Sequence, residues 1–383
     1  MKKNGVLVIV LLLITLHSMA QLDQTGDSLV FGGQFSAWSH YNSDNRYAVQ
    51  LGGRYIPQLN YEWRLPERNQ LDLEASANIY GDSQIRKWYE KNTEGKIKPY
   101  RAWARFSSTQ FELRAGLQKV NFGSASMLRP LMWFDRIDPR DPLQLTDGVW
   151  GLLGRYYFLN NTNIWLWGLY GNHGAKGWEM LPTRKGVPEF GGRIQMPIPS
   201  GEAALTYHHR QADSRKREEL MRGYSRIPEH RLGVDARVDM GVGLWAEGAW
   251  VQKMRDLGPF THQQMINMGM DYTFGIGNGL GMTLEHLLAA YDERAFAFVD
   301  PNHLSALSFT YPVGLFDRFF LLFYHDWTND HLYSFLNWER QYQAVTLHLM
   351  AYWNPLQYNL PVQGSAQHFF AGKGIQIMFV FNH

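Results

Sequence analysis

Gly374-Ile375-Gln376-Ile377-Met378-Phe379-Val380-Phe381 alternates bulky apolar residues along a run without charge, two residues short of His383. Side chains on a strand point to opposite faces with a period of two, so this run presents Ile375, Ile377, Phe379 and Phe381 on one face and Gln376 on the other. The opposite end of the chain reads differently. Lys2 and Lys3 precede an apolar run from Val6 to Leu16, and Ser18-Met19-Ala20 stands before Gln21. A run of about eleven residues is too short to cross a bilayer and has the three-part layout of a signal peptide. Residues 1–20 are therefore expected to be removed, leaving 21–383 as one domain.

Composition narrows the class. Cysteine is absent, which removes disulfide frameworks and thiolate metal sites from consideration. A formal net charge of +2 argues against nucleic acid as a partner. Mean hydropathy is negative although aromatic residues make up 15% of the chain. A transmembrane β-barrel reconciles the two, with a polar interior, an apolar outer band and aromatic girdles at both interfaces.

Working back from the closing strand, the mature chain divides into alternating segments of about ten residues. Eighteen are predicted, with sixteen the alternative if 331–353 is read otherwise. Connections after even-numbered segments are tight, as at Ser108-Thr109, Asn160-Asn161, Ser200-Gly201 and Gly241–Gly243. Connections after odd-numbered segments include the long charged stretches 81–96, 121–148, 172–188, 212–229, 292–302 and 354–370. The fold expected is all-β, an antiparallel up-and-down transmembrane barrel, with both termini periplasmic and the long loops outside. The last strand should pair with a first strand near 29–41, leaving Asn382-His383 to hang free.

Alternation also assigns faces. Leu71, Leu73, Ala75, Ala77 and Ile79 should face lipid, with Asp72, Glu74, Ser76 and Asn78 facing the lumen. A charge on the lipid face near the midplane costs roughly 2–4 kcal/mol, so charged faces point inward. Arg101, Arg105, Glu112, Arg114, Arg155, Arg237 and Glu247 are the candidate pore-lining residues. The tight turns predict Arg105 opposite Glu112 and Arg237 opposite Glu247, pairs worth about 0.2–1 kcal/mol each. Inward acids and arginines nearly balance.

The connection 121–148 is unusual for a water-facing loop. Met127, Leu128, Leu131, Met132, Trp133, Phe134 and Ile137 are interleaved with Asp135, Arg136, Asp138, Arg140 and Asp141. Pro130, Pro139 and Pro142 stiffen it. This pattern predicts a segment folded into the barrel mouth as a constriction, with Trp133, Asp135, Arg136, Asp138, Arg140 and Asp141 as its candidate functional residues. An extracellular lid or a docking surface for another protein is the alternative.

Gly116-Leu-Gln-Lys-Val-Asn-Phe-Gly123, the Asp- and Pro-rich loop with Asp135, Asp138, Pro139 and Asp141, and Gly148 before a new strand resemble the middle of porin-like channels of the alginate-export type. The resemblance implies eighteen strands and an arginine-rich lumen. The balance of inward acids and arginines departs from it and argues against a polyanionic substrate. The aromatic-rich last strand resembles the signal read by the bacterial barrel-insertion machinery. The chain as a whole resembles Gram-negative outer-membrane barrels of the Bacteroidota.

His208, His209, His286, His325 and His348 are the candidates for chemistry, yet no Gly-x-Ser-x-Gly elbow occurs. His208 and His209 point to opposite faces of a strand and cannot chelate one ion. No enzyme activity, cofactor or metal is expected. The stretch from Gln21 to Leu29 is too short for a plug domain. Outer-membrane lipid and lipopolysaccharide, the insertion machinery and other outer-membrane proteins are the expected partners. The function expected is a channel for passive diffusion of a small polar or charged solute. A non-conducting accessory or structural subunit of an outer-membrane assembly or secretion complex is the alternative, and an outer-membrane enzyme a distant third.

Overall fold

Alternating sequence of this kind satisfies its backbone only by pairing every strand on both sides, and the chain does so by closing on itself. The computed structural model describes residues 27–383 apart from 46, 88–89, 218, 220 and 357–369. The leader and residues 21–26, as well as most of the connection 354–370, lie outside the described residues. The strands are β1 Ser28–Asn42, β2 Val49–Arg64, β3 Gln70–Lys87, β4 Glu90–Ser107, β5 Phe111–Gln118 and β6 Val149–Tyr157. They continue as β7 Asn163–Leu169, β8 Glu189–Ile198, β9 Gly201–Ala212, β10 Ile227–Asp239, β11 Gly243–Lys253 and β12 His262–Phe274. The ring is completed by β13 Leu280–Asp292, β14 Asn302–Pro312, β15 Asp317–Asp326, β16 His331–Gln341, β17 Val345–Trp353 and β18 Lys373–Asn382. Each pairs antiparallel with its neighbour in the chain, and β1 pairs with both β2 and β18 to close the sheet.

The closing strand has the predicted faces. Ile375, Ile377, Phe379 and Phe381 point outward, while Gln376, Met378 and Val380 are buried inside. Its register runs from Gln34 opposite Asn382 to Asn42 opposite Gly374. The tail does not hang free as expected. His383 continues the ladder through paired 3.0 Å backbone hydrogen bonds with Gly33, and its ring stacks on Tyr55 over the space that the glycine leaves.

Outward positions elsewhere carry Leu59, Leu73, Leu152, Leu205, Val234 and Met268, all exposed. Trp63, Tyr156, Tyr272 and Phe319 ring the end with the short turns, and Trp150, Trp327 and Trp353 the end with the long loops. Water does not tolerate such a belt; a bilayer requires it.

Three expectations need correction. The segment 81–96 is not a loop, because β3 and β4 stay paired across most of it. Arg105 stands opposite Arg114, not Glu112, and Arg237 stands opposite Trp245, with Glu247 across from Asp235. Both hairpins close with Ser107 against Glu112 and Asp239 against Gly243, a register two residues away from the predicted one. A shift of two preserves every face assignment, which is why the inward set survives the change.

β4 also carries a bulge. Arg101 pairs with Ser76 but Pro99 pairs with Ala77, so Tyr100 is the extra residue. Pro99 has no N–H to give to a ladder, and strands accommodate such residues at bulges. Toward the short-turn end, Arg101, Trp103 and Arg105 face in; beyond Tyr100 the parity flips. Lys98 then faces in opposite Asn78, and Ile97 points out, 72% exposed.

Candidate functional site: a loop seated across the lumen

The segment between β5 and β6 owes its position to its own composition. Leu128, Leu131, Met132, Trp133 and Phe134 are each at most 3% exposed and pack with Val149, Leu153, Trp167, Met265 and Leu287 from the inner wall. Phe122 meets Trp133 and Phe134 edge-on and lies stacked on Trp167. An extracellular excursion would leave these side chains in water at about 1.5–3 kcal/mol each. Inside the barrel they form a dry core.

Two wall carboxylates fix the backbone of this segment. Glu285 accepts from Ser126 N at 2.7 Å, Ser126 Oγ at 3.1 Å, Met127 N at 3.1 Å and Leu128 N at 2.6 Å. Successive amides converging on one anion form a nest, and charge-assisted bonds of this kind are strong. Glu247 accepts from Ala125 N at 2.7 Å. Gly123 adopts φ +100°, and a Cβ there would collide with the Glu247 carboxylate. Asn267 Nδ2 donates to Leu128 O at 2.8 Å, and Trp178 Nε1 to Arg129 O at 2.7 Å.

The loop's charged residues are held within the loop or against its neighbours. Arg129 pairs with Asp135 at 3.0 Å and Arg140 with Asp138 at 2.8 Å. Arg136 bonds the Ala175 carbonyl. Asp141 accepts from the amides of Leu143 at 3.0 Å and Leu145 at 3.1 Å. Burial pushes the Asp141 carboxyl above its ordinary range, and those two amides oppose the rise. Trp133 is buried in the loop's apolar core.

Around this seat the sequence-derived residues separate into groups. Arg105 bonds Asp72 at 2.7 Å, and Glu112 gathers Arg114 at 3.1 Å, Arg155 at 3.6 Å and Arg105 at 3.9 Å. Arg114 lies over Trp103 and Arg155 over Trp165, so this ladder toward the short-turn end is braced by rings as well as charge. Arg101 is buried and donates to the Thr146 carbonyl at 3.0 Å, anchoring the loop's exit. Arg237 sits at the short-turn rim, bonded to Asp271 at 2.8 Å and Asp239 at 3.3 Å. Glu247 lies under the loop rather than on an open wall.

The connection between β7 and β8 folds inward too. Its Glu179 meets Arg210 at 2.9 Å and Arg231 at 2.7 Å, and both arginines also hold Glu229. Lys176 and His208 bond Glu189 at 3.2 Å and 3.1 Å. The other singled-out histidines are scattered. His286 Nδ1 meets Ser305 Oγ at 2.9 Å on the outward face, a hydroxyl to which Trp327 Nε1 also donates. Among the described residues no carboxylate bonds that imidazole.

The loop divides the remaining space. On the long-loop side a cavity of about 430 Å³ is lined by Arg54, Asn78, Lys98, Tyr100, Arg136 and Lys176, facing Asp135, Asp138 and Asp147. On the short-turn side another of about 460 Å³ lies against β13 to β16. Ile137, Asp138's neighbour, and Asp141 border both. Glu285, Arg129, Asn267 and Trp178 were not marked as functional from sequence. Only Glu285 left a signal there, as one of the acids that alternation places on an inward face.

No protein-family model matches the sequence, and no curated protein matches it. Solved structures do. OccAB4 of Acinetobacter baumannii aligns with TM-score 0.55 and 9% identity over 93% of this chain and 98% of that one. OccAB1 of the same organism gives TM-score 0.53 and 7% identity over 95% and 98%. Wzi of Escherichia coli, described as a carbohydrate-binding β-barrel involved in group 1 capsule assembly, gives TM-score 0.53 and 10% identity over 92% and 84%. The fold is the closed antiparallel β-barrel that these structures share. Identities this low establish architecture alone.

Proposed function

We propose that the protein is an outer-membrane channel for passive diffusion of a small polar solute, with the loop 121–148 as its constriction. The observation that carries this reading is the seating of that loop on Glu247 and Glu285, with a polar cavity on either side of it. In this reading both termini are periplasmic, the long loops face outside, and a solute passes from one cavity to the other beside Ile137 and Asp141. Arg101, Arg105, Glu112, Arg114 and Arg155 form the basic and acidic flank of the lumen.

Single-channel recording in planar bilayers tests it. Stepwise openings are expected from the purified protein, and deletion of 127–142 should raise the unit conductance. A conductance unchanged by the deletion removes the constriction. A barrel that never conducts and retains stable co-purifying proteins is instead an accessory subunit, a reading favoured by how densely the β6–β13 side of the interior is filled.

A further inference from the structure

The two cavities differ in chemistry. The one on the long-loop side is rich in charge. In the one on the short-turn side, register alternates hydroxyl, ring and amide along the wall. Thr283 stands opposite Ser308, Thr310 opposite Phe320, and Phe320 opposite Asn337. The loop adds Asn121, Ser126 and Gln144 from the other side. The charges present are committed: Arg318 to Glu339 at 2.5 Å, Arg140 to Asp138, Arg129 to Asp135, and Asp141 to loop amides.

Ion selectivity needs a wall of one sign, and a charged solute entering this cavity finds none to replace its lost hydration. A neutral polyhydroxylated solute fares differently. It exchanges hydrogen bonds to water for hydrogen bonds to fixed hydroxyls and amides. Phe320, half-buried and held edge-to-face with the buried Phe335 at a centroid distance of 6.5 Å, offers electron-rich surface to its polarised C–H groups. About 460 Å³ falls within the usual range of small-molecule pockets, roughly 300–1,000 Å³.

We propose that the short-turn cavity is a binding subsite for a neutral saccharide, an assignment that rests on the channel reading and names its substrate class. The test combines two measurements on the purified full-length barrel with sucrose as the probe: block of ionic current in planar bilayers, and calorimetric titration, which needs no conduction. Sucrose should reduce the current saturably and give a binding heat. Phe320→Ala should raise the half-blocking concentration about tenfold, and Phe320→Tyr should restore it. Thr310→Val, which keeps shape and removes one hydroxyl, reads the same subsite if Phe320→Ala does not assemble. Glutamate and arginine at matching concentrations should block far less. Openings with neither sucrose block nor heat overturn the subsite and leave the channel standing. Sucrose heat from a barrel that never conducts keeps the subsite and removes the channel. Equal block by glutamate or arginine overturns the neutral class.

Discussion

Glu285 concentrates more of the loop's attachment than any other side chain described above. Its carboxylate takes up three consecutive backbone amides and a hydroxyl in a site that is 0% exposed. Glu285→Gln keeps the size but replaces one acceptor oxygen with a donor, which faces an amide it cannot bond. Leaving a buried donor unsatisfied costs about 1–3 kcal/mol. The variant barrel should therefore assemble yet release its loop, read as faster proteolysis at Arg129 or Arg136 in detergent and as noisier, larger current steps. Protection and conductance equal to the parent protein would show that the apolar seat holds the loop without this anchor. Glu247 has a smaller share, one amide at 2.7 Å, and its removal should be milder.

Among the elements, β4 is the one whose sequence misleads. Continued alternation places Ile97 and Pro99 inward; the bulge at Tyr100 reverses this and brings Lys98 and Tyr100 to the cavity on the long-loop side. Cysteine substitution tests the reversal. Lys98→Cys should react readily with a membrane-impermeant, water-soluble thiol reagent, and Ile97→Cys should react at least about tenfold more slowly from its lipid-facing side. The reverse order, with Ile97→Cys the faster, would mean that β4 runs without the bulge. The strands and their faces were legible beforehand, because period-two alternation repeats around the whole ring and an error of two in a turn leaves each face intact. One inserted residue is a different matter: it changes parity and leaves no composition signal beyond a proline. Which inward residues meet the loop was also hidden. Glu112 and Arg114 are adjacent in any register, but Glu285 and Ser126 are brought together only once the loop has turned into the barrel.

For the molecule as a whole, the governing arrangement is a sheet with lipid on one side and a packed polar interior on the other. Adjacent residues on β2 measure that contrast directly. Leu59, 43% exposed, faces out, and Gln58 faces in beside Asn60. Leu59→Arg should destabilise the assembled barrel by roughly 2–4 kcal/mol, and Gln58→Arg by much less. Urea unfolding from phospholipid vesicles reads the difference, and similar losses for both would contradict the assigned faces. The bulge in β4 has a consequence at this scale too. Deleting the single residue Tyr100 would heal the bulge and leave Pro99 opposite Ala77 and Lys98 opposite Asn78, so the inner face at the long-loop lip would keep Lys98. Substitution alters such a lip one side chain at a time. A one-codon insertion absorbed as a bulge alters none of it, so the lineage of this barrel can lengthen a wall strand and keep an old entrance intact.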